Sequence, residues 1–86
     1  MLVLPAELTH RQASVSLRML LQALKAQGEQ QVVVDAGALA TFDSSALAVL
    51  LECRRVAVSE GKGFMVKALP PALASLAGLY GVQELL

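Results

Sequence analysis

Three consecutive valines, Val32-Val33-Val34, run into Asp35 and are followed after a short loop by Phe42-Asp43-Ser44-Ser45-Ala46-Leu47. This pairing constrains the chain more than any other feature. Valine is stiff at χ1 and suits a pleated surface, and no polar alternation interrupts the run. Gln31 to Asp35 therefore predicts a central strand covered on both faces. Ala36 to Phe42 reads as a loop. Asp and Ser carry side-chain oxygens that accept bonds from the orphan N–H groups of a helix start. The spacing thus predicts a helix from Ser44 or Ser45 to just before Gly61, burying Leu47, Leu50, Leu51 and Val58. The same N–H groups, with the helix dipole, favour a bound or attached anion. On residue type alone Ser44 has three open roles: a cap, a phosphorylation site or a contact for a partner.

Leu2-Val3-Leu4, stopped by Pro5, reads as a short strand. Thr9 with Gln12 forms a capping-box pattern, and Leu17, Leu20, Leu21 and Leu24 recur at helical spacing, which predicts a helix over His10 to Gln27. Arg11, Arg18, Gln22 and Lys25 fall on its wet side. Phe64 to Leu69 reads as the next strand. Pro70-Pro71 presets φ for a last helix that buries Leu73, Leu76 and Leu79 or Tyr80 and ends at Gly81, leaving Val82 to Leu86 as a tail or edge strand. Strand and helix alternate, which predicts an α/β fold with a mostly parallel sheet of about four strands. Residues 1–86 read as one domain.

Composition narrows the function. Seven Lys and Arg balance seven Asp and Glu, so no field exists to attract a phosphate backbone, and Phe42, Phe64 and Tyr80 are too scattered to form a stacking platform. Nucleic acid is not an expected partner. The longest apolar stretch, Ala46 to Leu51, is far short of the ~20 residues of a membrane span. A lone Cys53 forms no internal disulfide and reads as a small buried hydrophobe. With no signal-peptide pattern at the start, the expected compartment is the reducing cytoplasm. One His and one Cys cannot supply a zinc site, and no nucleotide-binding glycine motif is present, so neither metal nor cofactor is expected. His10 lies near a predicted helix start, away from the serines in sequence, which leaves a hydrolase built on Ser44 or Ser45 as a third-ranked reading. Hydrophobic residues make up 56% of the chain and aromatics only 3%, more apolar side chains than so small a core readily hides. Either some apolar surface faces a partner or alanine inflates the count.

Four segments occur in the order typical of one family: Val32-Val33-Val34-Asp35, Asp43 through Leu51, Glu60-Gly61-Lys62-Gly63, and Leu73 through Val82. On these the chain resembles the STAS domain, the module of anti-sigma-factor antagonists, sulphate-transporter tails and the STAS subunit of Mla-type phospholipid-trafficking ABC systems. It departs at Ala46, where the family usually has Gly. The resemblance implies a small sandwich with helices mainly on one face and the Asp-Ser-Ser turn exposed. It also implies a non-enzymatic protein whose regulatory or partner-binding residues are Asp43, Ser44, Ser45, Ala46 and Leu47, with Leu76, Leu79 and Tyr80 as a further partner surface. The implied partner is an ABC ATPase, which would hold the chain at the inner membrane from the cytoplasmic side. The alternative is an anti-sigma-factor serine kinase that phosphorylates Ser44.

Overall fold

The computed structural model describes residues 1–86. In chain order the elements are β1 (Leu2–Val3), β2 (Glu7–Leu8), α1 (Ala13–Ala26), β3 (Gln31–Asp35), β4 (Thr41–Phe42), α2 (Ser44–Ser59), β5 (Gly63–Lys67) and α3 (Pro71–Leu79), closed by a 3₁₀ turn at Gln83–Leu85. The strands form two parallel sheets rather than one sheet of about four: β1-β3-β5, and a separate pair, β2-β4. The valine run takes the central place expected of it. Val82 to Leu86 forms the 3₁₀ turn and no edge strand.

The register explains which valines are buried. Leu2 pairs with Val34 and Val32 with Phe64, so Leu2, Val32 and Val34 point to one face and are buried there beneath the helices. Val33 pairs with Met65 on the other face, where Val33 is half-buried and Met65 exposed. The expectation of a strand covered on both faces is therefore corrected. All three helices contribute to one core on one side of the sheet, and side chains alternate across the pleat even in an uninterrupted apolar run.

Helix α1 packs on β1 and α2, and α3 packs on α2, so α2 lies between them. Its buried side chains are Ala46, Leu47, Val49, Leu50, Cys53, Val56 and Ala57. Val58, expected inside, is exposed, and Leu51 is half-buried. Packing between two helices and a sheet buries a wider arc of α2 than a leucine stripe indicates. In α3, Leu73 and Ala77 are buried, whereas Leu79 is 83% and Tyr80 60% exposed. Ala77 takes the inward position that spacing assigned to the larger residues.

Both α2 and α3 end in the same way. Gly61 and Gly81 adopt φ of 72° and 70°, a left-handed conformation that costs a side-chain-bearing residue about 1–2 kcal/mol. After α2, the N–H of Gly61 donates to the Val58 carbonyl and that of Lys62 to the Ala57 carbonyl. After α3, Gly81 donates to Gly78 and Val82 to Ala77. This is the paired 5→2 and 6→1 pattern of a Schellman end. It delivers Lys62 and the half-buried Val82 back toward the body of the protein.

Helix α1 starts at Ala13, three residues later than its capping pattern predicts. Gln12 Oε1 accepts from the Thr9 N–H at 2.9 Å and from Thr9 Oγ1 at 2.8 Å, so the pair does form. It closes a turn over residues 9–12 instead of a first helical turn, with the Gln12 N–H donating to the Thr9 carbonyl at 3.1 Å.

Candidate functional site

The minor sheet builds the site. Glu7 pairs with Thr41 and Leu8 with Phe42 in parallel register, so the residues that follow, Thr9-His10 and Asp43-Ser44, emerge side by side. Asp43 is the N-cap of α2. Its Oδ1 accepts from the Ser45 N–H at 2.8 Å, as a capping residue should. Its Oδ2 accepts from the His10 N–H at 3.0 Å and lies 3.3 Å from His10 Nδ1. A single carboxylate thereby ties the start of α2 to a turn 33 residues earlier in the chain. The N–H of His10, followed by that of Ser45, holds the Asp43 carboxyl at about 2, below its ordinary 3.8. Asp43 is ionised throughout the physiological range.

The five residues of the predicted turn divide sharply. Ser44 is exposed, and its hydroxyl takes part in none of the hydrogen bonds that build the site. Asp43 and Ser45 are half-buried and held by the cap. Ala46 and Leu47 are buried, at 0% and 2% exposure, and their side chains belong to the core. The Ala46 methyl thus points inward, and replacing the family's usual Gly leaves the outer surface of the turn unobstructed. Beyond Ser44, the exposed residue one turn along α2 is Ala48.

The second predicted surface lies apart from this turn. Helices that follow parallel strands begin at the edge where the strands end. The starts of α2 and α3 therefore share that edge, and Leu79 and Tyr80 stand at the far end of α3, about 13 Å along its axis. Leu79 and Tyr80 are open to solvent while Leu76 is half-buried. The structure does not gather them with Ser44 into one patch.

His10 is the site residue that sequence reasoning missed. It precedes α1 rather than lying within it, and Asp43 holds it by main chain and ring together. The signal was the β2-β4 pairing, but two strands of two residues each carry no periodicity to read. No hydrogen bond joins His10 to Ser44 or Ser45. Cys53, inside α2, is fully buried. Burial, with Glu52 adding to it, pushes the thiol up to about 11. No three of the His, Cys, Asp and Glu side chains come together as a metal-binding group, and no helix is long and apolar enough to cross a membrane.

Comparison with curated proteins finds no match. A family model described as Mlab, STAS domain, matches residues 1–86, the whole length over which the parallel sheet, the one-sided helical layer and the capped Asp-Ser-Ser turn have been traced. The chain belongs to the STAS-domain family.

Proposed function

We propose that this protein is a non-enzymatic binding subunit that docks on a cytoplasmic ABC-transporter ATPase and supports phospholipid trafficking. The observation that carries the reading is the exposed Ser44 hydroxyl beside a carboxylate whose acceptors are already in use. Asp43 sets the shape of the turn and Ser44 is left to meet a partner. The Mla link in the family description supports a transporter over other STAS contexts. The exposed apolar end of α3, Leu79 and Tyr80, would offer such a partner a further apolar contact apart from the Ser44 turn. Docking regulates the ATPase only to the extent that the subunit binds its active arrangement more tightly than its inactive one.

A second reading, an anti-sigma-factor antagonist switched by phosphorylation of Ser44, draws on the same exposed hydroxyl. A phosphate there would add roughly 1.5–2 negative charges beside an ionised Asp43, repelling an interface that lacks a cation to receive it. One experiment separates the two. The tagged chain is purified from its native cells, and mass spectrometry identifies the co-purifying proteins and the state of the Ser44 peptide. An ABC ATPase with unmodified Ser44 supports the transporter subunit, while a serine kinase or phosphorylated Ser44 supports the switch. Ser44→Glu should release the partner in either case. Full retention of the partner by that variant removes Ser44 from the interface.

A further inference from the structure

The outer flank of α1 carries a pattern that the Ser44 turn does not use. From Leu8 to Gly28 the chain has no Asp or Glu, yet it holds Arg11, Arg18 and Lys25 at seven-residue intervals. Arg18 and Lys25 lie on one face of α1, about 10 Å apart along its axis, and Arg11 precedes them in the lead-in turn. All three are exposed, and none takes part in the Arg55–Glu52 and Lys62–Glu60 ion pairs or in the His10–Asp43 contact. Beside this stripe Val15 and Met19 are 53% and 63% exposed, although both are large and apolar. Next to Met19 a groove of about 310 Å³ opens between α1 and the edge of the main sheet, lined by Val3, Leu4, Pro5, Ser16, Met19 and Leu20.

We propose that this flank is a second docking surface, and that its occupant is an acidic amphipathic helix of a partner protein. Carboxylates spaced by two turns would meet Arg18 and Lys25, apolar residues beside them would cover Val15 and Met19, and one apolar side chain would enter the groove. The groove beside Met19 is concave and takes an inserted side chain, which a flat lipid headgroup layer does not supply. A second copy of this chain is a poor occupant: three of its seven carboxylates are already paired within the chain, and the other four, Glu7, Glu29, Asp35 and Glu84, form no stripe. Because α1 and α3 flank α2 on opposite sides, an occupant here leaves the α3 surface free, and one STAS domain would bridge two protein segments.

The test uses the whole chain and three labelled peptides of about three heptads each, sharing one apolar face and carrying acidic, neutral or basic residues on the other, followed by fluorescence anisotropy. The acidic peptide should bind saturably and more tightly than the others, and more weakly as salt rises from about 0.05 to about 0.5 M. Arg18→Glu with Lys25→Glu should weaken it by roughly 10-fold or more, and Met19→Gln by several-fold, while Leu79→Ser leaves it unchanged. Absence of saturable binding, equal binding of the basic peptide, or indifference to the Arg18 and Lys25 reversals overturns the proposal. Anionic phosphatidylserine vesicles that bind as tightly as the acidic peptide, and lose binding with the same reversals, would overturn it in favour of a membrane surface.

Discussion

Lys62 bonds outside its own sequence neighbourhood, and removing its charge tests how the fold is held. The Schellman end of α2 turns the chain so that Lys62 Nζ donates to the Leu24 carbonyl at 3.2 Å and the Gln27 carbonyl at 3.0 Å. These are two of the four carbonyls that the C-terminus of α1 leaves without a helical partner. The ammonium also sits at the negative end of the α1 dipole, with Glu60 Oε1 3.5 Å away and only 13% of the Lys62 side chain exposed. Lys62→Met keeps the aliphatic stem and deletes the donor. A hydrogen bond from a charged group contributes about 1.5–3 kcal/mol net. Two bonds share this one ammonium, and water can re-solvate part of what is exposed, so the expected loss is about 2–3 kcal/mol. For a domain of this length total stability is on the order of 4–13 kcal/mol, which makes the loss a large fraction of the whole. In urea unfolding followed by far-ultraviolet circular dichroism, the midpoint should fall by about 1–3 M, and the thermal midpoint by roughly 10–20 °C. Amide exchange should rise first in the last turn of α1. Glu60→Gln, which touches only the longer ion pair, should cost less than about 1 kcal/mol. A Lys62→Met protein within about 0.5 kcal/mol of wild type would refute the capping argument.

Three further outcomes follow from individual residues. Ala68 is the one non-glycine residue at positive φ, 59°, in the link between β5 and α3, and it is exposed. Ala68→Gly relieves about 1–2 kcal/mol of strain and adds about 0.4–1 kcal/mol of unfolded-state entropy, so it should stabilise by roughly 0.5–1 kcal/mol, read as a raised urea midpoint. The Cys53 thiol, buried and pushed up to about 11, should be unreactive toward Ellman's reagent in the folded protein at neutral pH and react at once in denaturant. Asp43 has a depressed folded-state pKa, so its contribution to stability is present above the ordinary 3.8 and is lost as pH falls through about 2. The stability gap between wild type and Asp43→Asn should therefore be constant near neutrality and narrow from about pH 4 to about pH 2. A gap independent of pH over that range would contradict the assignment of Asp43 as an ionised cap.

The candidate site was legible in part, and the reason lies in the range of its interactions. That Asp43 opens a helix with Ser44 beside it follows from side-chain oxygens reaching N–H groups two residues on, which is local chemistry. That His10 completes the same carboxylate does not follow, because the bond spans 33 residues and depends on two short parallel strands finding each other. Thr9 and Gln12 met as their spacing required, yet they closed a turn of their own and the helix behind them starts only at Ala13.

By itself the sequence determined what local sterics and solvation control. The valine run made a strand, the glycines at 61 and 81 ended helices because only glycine takes a positive φ without cost, and the alternation of elements made a parallel α/β protein. Tertiary structure decided which faces were covered. Val33 had the composition of a core residue but lay on the open side of the sheet, Leu79 and Tyr80 gave their inward position to Ala77, and Lys62 became a cap for a helix that ends more than thirty residues before it. Burial and long-range pairing depend on which elements meet, and apolar residues are alike in sequence whether a partner element covers them or leaves them open.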